Sequence, residues 1–165
     1  MTALFPNDIL DRARQVVTAC KTHRLAFATA ESCTGGLIAG AITEIAGASD
    51  VFERGFVTYS NEAKIELLGV SEKVLVAHGA VSEAVARAMA EGAIVNSGAV
   101  VAVAVTGIAG PGGGSPEKPV GLVHLACAQR GKPTLHVREV FPGDRTAIRL
   151  ATVATALDLT LKRIG

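Results

Sequence analysis

Aromatic side chains are scarce in this chain of 165 residues: tryptophan is absent, and aromatics make up 4 % of the sequence. The core must therefore be built from Ala, Val, Leu and Ile, and platforms on which bases could stack are few. The formal net charge is +1 with no basic stripe or run, so nothing marks a nucleic-acid surface. Cysteine is limited to Cys20, Cys33 and Cys127, an odd number, far apart and without a Cys-x-x-Cys pair. That pattern argues against a disulfide framework and against a zinc site. His23, His78, His124 and His136 lie singly, without metal-ligand spacing, so no metal and no cofactor is expected. No apolar stretch reaches the roughly 20 residues of a membrane span, and Ala99–Val105 is too short. The N-terminal Met1-Thr-Ala-Leu-Phe-Pro-Asn-Asp8 lacks a charged n-region and a long apolar segment, which argues against a signal peptide. A soluble, cytoplasmic protein is expected, with neither membrane nor nucleic acid as partner.

What is present is ordinary for an α/β protein: 49 % apolar and 19 % charged residues, in a length that suits one domain over 1–165. Asn7-Asp8 opens a helix to about Lys21, and Leu25–Ala30 reads as a buried strand. A helix to about Ala46 follows, with Gly47 as its C-terminal cap. Val51–Tyr59 reads as a strand, Asn61–Leu68 as a short helix stopped by Gly69, and Ser71–His78 as another. A longer helix over Ser82–Asn96 is capped by Ser82. Ala99–Val105 is the clearest buried strand, followed by a Gly-rich segment, Thr106–Pro119. Val120–Gln129 and Pro133–Phe141 form a hairpin, and Asp144–Ile164 is the last helix, with an apolar stripe. This alternation predicts a three-layer α/β/α sandwich around a mixed β-sheet.

Four segments can carry chemistry. Ala30-Glu-Ser-Cys-Thr-Gly-Gly36 places Ser32 at a strand-to-helix turn, where a hydroxyl can act as nucleophile beside free backbone N–H groups. The same segment also reads as a helix cap with glycines for close packing. Lys64 falls one turn into a helix, where the dipole disfavours its charge; it is either a solvated cation or, if buried beside Ser32, a general base. The Gly-rich loop matches no P-loop, yet its glycines allow close approach to a ligand. Arg145, at the start of the last helix, is suited to a phosphate or carboxylate, or is a solvated Arg paired with Asp144. Cys33 is the rival nucleophile, and a small buried residue otherwise.

Taken in order, Ala30–Gly36, Phe52–Lys64, His78-Gly-Ala-Val-Ser82, Thr106–Pro111 with Glu117-Lys-Pro-Val-Gly121, and Gly143-Asp-Arg145 resemble the CinA C-terminal domain family in its stand-alone form. The resemblance spans nearly the whole chain. It implies hydrolysis of the carboxamide of nicotinamide mononucleotide to nicotinic acid mononucleotide and ammonia. It also implies a metal-free Ser32–Lys64 dyad, with Tyr59 in the same motif. Around the small nucleotide substrate it places Glu31, Cys33, Thr34, Gly35, Gly36, Asn61, Thr106, Gly107, Gly110 and Arg145. The competing reading is a nucleotide-binding or regulatory module without turnover. A homodimer is the expected assembly.

Overall fold

Valine on one face of the central strand and alanine on the other decide how the layers of this protein sit. The computed structural model describes residues 2–165. Five strands form one sheet: β1 (Phe27–Glu31), β2 (Phe52–Val57), β3 (Val101–Gly107), β4 (Leu122–Gln129) and β5 (Lys132–Val140). Their order is β2-β1-β3-β4-β5. β1 runs parallel to both β2 and β3, while β4 is antiparallel to β3 and β5, so the sheet is mixed.

Side chains alternate across a strand. Val101, Val103 and Val105 therefore face a core formed with α1 (Asn7–His23), α2 (Leu37–Thr43) and α6 (Arg145–Ile164). Ala102 and Ala104 face the opposite way, joined by Ala28, Ala30, Ala126 and Ala128. Onto this small-residue face packs α5 (Glu83–Val95), flanked by α3 (Asn61–Leu68) and α4 (Glu72–His78). Helices thus cover both faces, which makes the expected three layers.

The elements match the sequence reading, with several shifted ends. The first strand begins at Phe27 and not Leu25, because Arg24 turns left-handed at φ 54° and Leu25 N–H returns to the Cys20 carbonyl at 2.9 Å. β3 starts at Val101 and runs through Thr106 to Gly107, in register with β1 from Phe27↔Val101 to Glu31↔Val105. Thr106 is therefore a strand residue, not the first of the loop. α2 ends at Thr43, and Gly47 instead precedes a 3-10 turn over Ala48–Asp50.

α3 approaches α5 closely at Gly92. A Cβ placed there would fall inside the contact distance of the Leu68 carbonyl oxygen at the end of α3. Gly92 costs α5 up to about 1 kcal/mol of helix propensity relative to alanine. Overpacking against a backbone carbonyl costs about 1–3 kcal/mol, and no rotamer change relieves it. Gly92→Ala should therefore lower the thermal midpoint. The control is Gly98→Ala, whose Cβ meets nothing nearer than 3.8 Å. An unchanged midpoint for Gly92→Ala would mean that α3 is free to shift.

Candidate active site

The carboxyl ends of β1 and β3 open on the same edge of the sheet, where open α/β sheets bind ligands. Ser32 follows β1 directly, and its N–H donates to the Val105 carbonyl at 3.1 Å. The chain then doubles back, with Gly35 N–H donating to the Ser32 carbonyl at 3.0 Å. Gly35 and Gly36 adopt φ of 59° and 103°, a left-handed pair that larger side chains would strain.

The start of α2 is already occupied by the chain's own carboxylate. Glu31 is fully buried. Its Oε1 accepts the Thr34 hydroxyl at 2.6 Å and Ile38 N–H at 2.8 Å, and its Oε2 accepts Ala39 N–H at 3.1 Å. Burial pushes the Glu31 carboxyl above the usual carboxylate range, and these donors oppose that rise. Glu31, Thr34, Gly35 and Gly36 do not line the cleft; they build the turn that presents Ser32. Of the N–H groups at this turn, that of Gly35 is spent inside it. Thr34 is fully buried, which leaves the Cys33 N–H at the cleft.

Lys64 comes from the other side of the sheet edge. Ser60 caps α3 by accepting Ala63 N–H at 3.0 Å, and Gly69 ends the helix at φ 67°. Lys64 on its first turns is 1 % exposed, and Ser32 is 8 % exposed. Nζ lies 3.0 Å from Ser32 Oγ, 2.8 Å from the Thr58 carbonyl and 3.4 Å from the Tyr59 carbonyl. Its partners are thus one hydroxyl and two neutral carbonyls. Burial lowers the Lys64 pKa, and the nearby Cys33 opposes this weakly. In its neutral form, Nζ can give its two protons to the carbonyls and turn its lone pair to the Ser32 hydroxyl. Cys33 is buried too, and burial pushes its thiol up to about 11, which suits a packing residue better than a nucleophile.

A cleft of about 240 Å³ opens above this pair. Ser32, Cys33, Tyr59, Asn61, Lys64, Thr106, Gly107 and Arg145 line it, all anticipated from the sequence. Tyr59 stands at the rim, 62 % exposed, and its hydroxyl accepts from Arg145 Nη2 at 3.3 Å. Arg145 Nη1 donates to the Gly110 carbonyl at 2.8 Å, so Gly110 serves the site through Arg145 without lining it. Asp144 is not the partner of Arg145; it caps α6 by accepting Ala147 N–H at 2.9 Å. The Thr106 hydroxyl donates to the Ala80 carbonyl at 2.9 Å, tying β3 to the loop after α4.

Ala80, Val81 and Ala109 also line the cleft, and nothing in their chemistry marked them in the sequence. Arg149, one turn after Arg145, is a further residue of the site, with no role assigned to it from the sequence. Its Nε and Nη2 donate to the Cys33 and Thr34 carbonyls, each at 3.1 Å, fastening the Ser32 turn to α6. Its spacing of one helical turn from Arg145 was the available signal. A larger groove of about 660 Å³ lies beside α1, lined by Arg14, Thr18 and Leu161 among others, and holds no comparable nucleophile and base. Among the described residues, no three His, Cys, Asp or Glu side chains gather to hold a metal ion. No described helix is long and apolar enough to cross a membrane.

A mixed α/β fold with a Ser–Lys pair at the strand ends defines the class, and comparison with known proteins gives the family. The model of the CinA C-terminal domain matches residues 10–164, and the chain belongs to that family. It is 51 % identical over 151 residues to nicotinamide-nucleotide amidohydrolase PncC of Escherichia coli K12, covering 92 % of each chain. It is 58 % identical over 144 residues to a CinA-like protein of Akkermansia muciniphila, covering 87 % of this chain but 35 % of that longer one. Among solved structures, competence/damage inducible protein CihA from Agrobacterium tumefaciens superposes with a TM-score of 0.95 at 56 % identity, over 99 % of both chains.

The Glu31 arrangement is testable. Glu31→Gln turns one acceptor oxygen into an NH₂ group facing N–H donors, and a buried mismatch of this kind costs about 1–3 kcal/mol. Denaturant unfolding should show a loss in that range. Wild-type stability would mean that the carboxylate does not hold the turn.

Proposed function

We propose that this chain is a nicotinamide-nucleotide amidohydrolase, which converts nicotinamide mononucleotide and water to nicotinic acid mononucleotide and ammonia. The observation that carries the reading is the buried contact of 3.0 Å between Lys64 Nζ and Ser32 Oγ. Kinship with PncC over 92 % of both chains supports the choice of substrate.

In this mechanism the neutral Lys64 amine takes the Ser32 proton as Oγ attacks the carboxamide carbon. The oxygen of the tetrahedral intermediate faces the N–H group of Cys33. Lys64 passes its proton to the departing nitrogen, and ammonia leaves an ester on Ser32. Water then gives a proton to Lys64 and attacks the ester; the proton returns to Ser32 Oγ as the acid is released. Arg145 at the cleft mouth receives the nucleotide phosphate, since its present partners are a carbonyl and a phenol and leave its charge uncompensated. Tyr59 positions Arg145 through its hydroxyl.

Release of ammonia from nicotinamide mononucleotide tests the reading. Ser32→Ala should fold normally and lose at least about 10³-fold in kcat. Cys33→Ala should keep activity. Lys64→Arg should be nearly inactive, because Arg stays protonated. Wild-type kcat should rise with pH as Lys64 loses its proton, along a limb set below the ordinary lysine range. A wild-type protein that binds the nucleotide but releases no ammonia would instead be a binding module.

A further inference from the structure

The motif Glu117-Lys-Pro-Val-Gly121 takes no part in the chemistry described above. Its lysine nevertheless joins two walls of the cleft. The Ile108–Gly121 loop leaves β3, contributes Ala109 to the cleft, and swings outward through exposed residues 111–117. It returns through a local turn, in which Ser115 N–H donates to the Lys118 carbonyl at 2.8 Å and Lys118 N–H donates to Ser115 Oγ at 3.0 Å. That turn aims the half-buried Lys118 side chain at the end of α4, where Nζ donates to the His78 carbonyl at 2.6 Å. A cation suits this place, since helix carboxyl ends carry partial negative charge.

The adjoining loop, Gly79–Ser82, supplies Ala80 and Val81 to the cleft. It is tied at one point by Thr106 Oγ1 to the Ala80 carbonyl, and just before it by Lys118. Gly79 leaves room for the second tie. A Cβ there would lie 2.8 Å from Lys118 Nζ, so a side chain would contest the place the ammonium occupies. Lys118 has no carboxylate partner among the ion pairs of the described residues, so its charge-assisted bond to a carbonyl is its structural commitment.

We propose that Lys118 is a positioning residue: it latches the Ile108–Gly121 loop to the end of α4 and fixes the cleft width between Ala109 and the Ala80–Val81 wall. It does so without touching the Ser32–Lys64 pair. The effect on turnover rests on the amidohydrolase reading; the effect on loop order does not. Losing the latch lowers the fraction of molecules with a formed cleft, and apparent affinity falls by that fraction.

Lys118→Met keeps the aliphatic stem and removes the donor. It should raise KM for nicotinamide mononucleotide about tenfold, with kcat within about twofold of wild type. Amide hydrogen exchange of the unliganded protein should quicken in residues 79–82 and 109–118 and stay unchanged in α6. Lys118→Arg, which keeps the charge and a donor, should restore part of the affinity. Wild-type exchange in both loops of Lys118→Met would overturn the latch, whatever the protein hydrolyses. A fall in kcat with unchanged KM would overturn it too, by placing Lys118 in the chemical step. If the wild-type protein proved inactive on this substrate, the amidohydrolase reading would fall and the exchange measurement alone would decide the latch.

Discussion

A lysine amine shut away from water and facing no carboxylate is the constraint around which this molecule is arranged. Burying a charge without a counter-ion costs several kcal/mol, so the fold favours Lys64 without its proton. The carbonyls of Thr58 and Tyr59 then matter as acceptors that use both amine protons and aim the lone pair. Thr58 is itself held by β1, since its N–H donates to the Glu31 carbonyl at 2.8 Å. The end of β1 thus sets both partners: it delivers Ser32 on one side and pins the lysine's acceptor on the other. Ser60, Gly69 and the close seat at Gly92 hold α3 so that the amine reaches this point.

Glu31 solves a related electrostatic problem. A helix start is a ready site for anions, and α2 begins directly behind the candidate nucleophile. The Glu31 side chain fills that site with a carboxylate supplied from within. The helix start is then closed to an incoming anion. The same side chain makes the Ser32 turn rigid, and Arg149 adds a second fastening from α6. A nucleophile must sit within hydrogen-bond reach of its base, and these two ties keep the turn from drifting.

Much of this was legible in the sequence because it is local. The apolar run before Ser32, the glycines after it and the cap at Ser60 announce a strand, a turn and a helix by periodicity and turn chemistry. A lysine placed against the helix dipole announced a conflict at Lys64. The meeting of Ser32 and Lys64 was not legible from the residues, because it depends on parallel pairing of β1 with β2; the family resemblance supplied it. The part Glu31 plays inside the turn was not legible, because burial of a carboxylate has no local signature. Ala80 and Val81 carry no chemistry to notice. The start of β3 was misplaced by two residues because Ala99 and Val100 are as apolar as the strand itself. Only the register against β1 excludes them.

The protonation state of Lys64 is the property on which the account stands. It can be read directly by following the Cε resonances of ¹³C-labelled lysine against pH, with the Lys64 signal assigned by its loss in Lys64→Arg. The account predicts that this resonance titrates with a midpoint below the ordinary lysine value of 10.5. A midpoint at or above 10.5 would mean that the buried amine keeps its proton and cannot serve as the base.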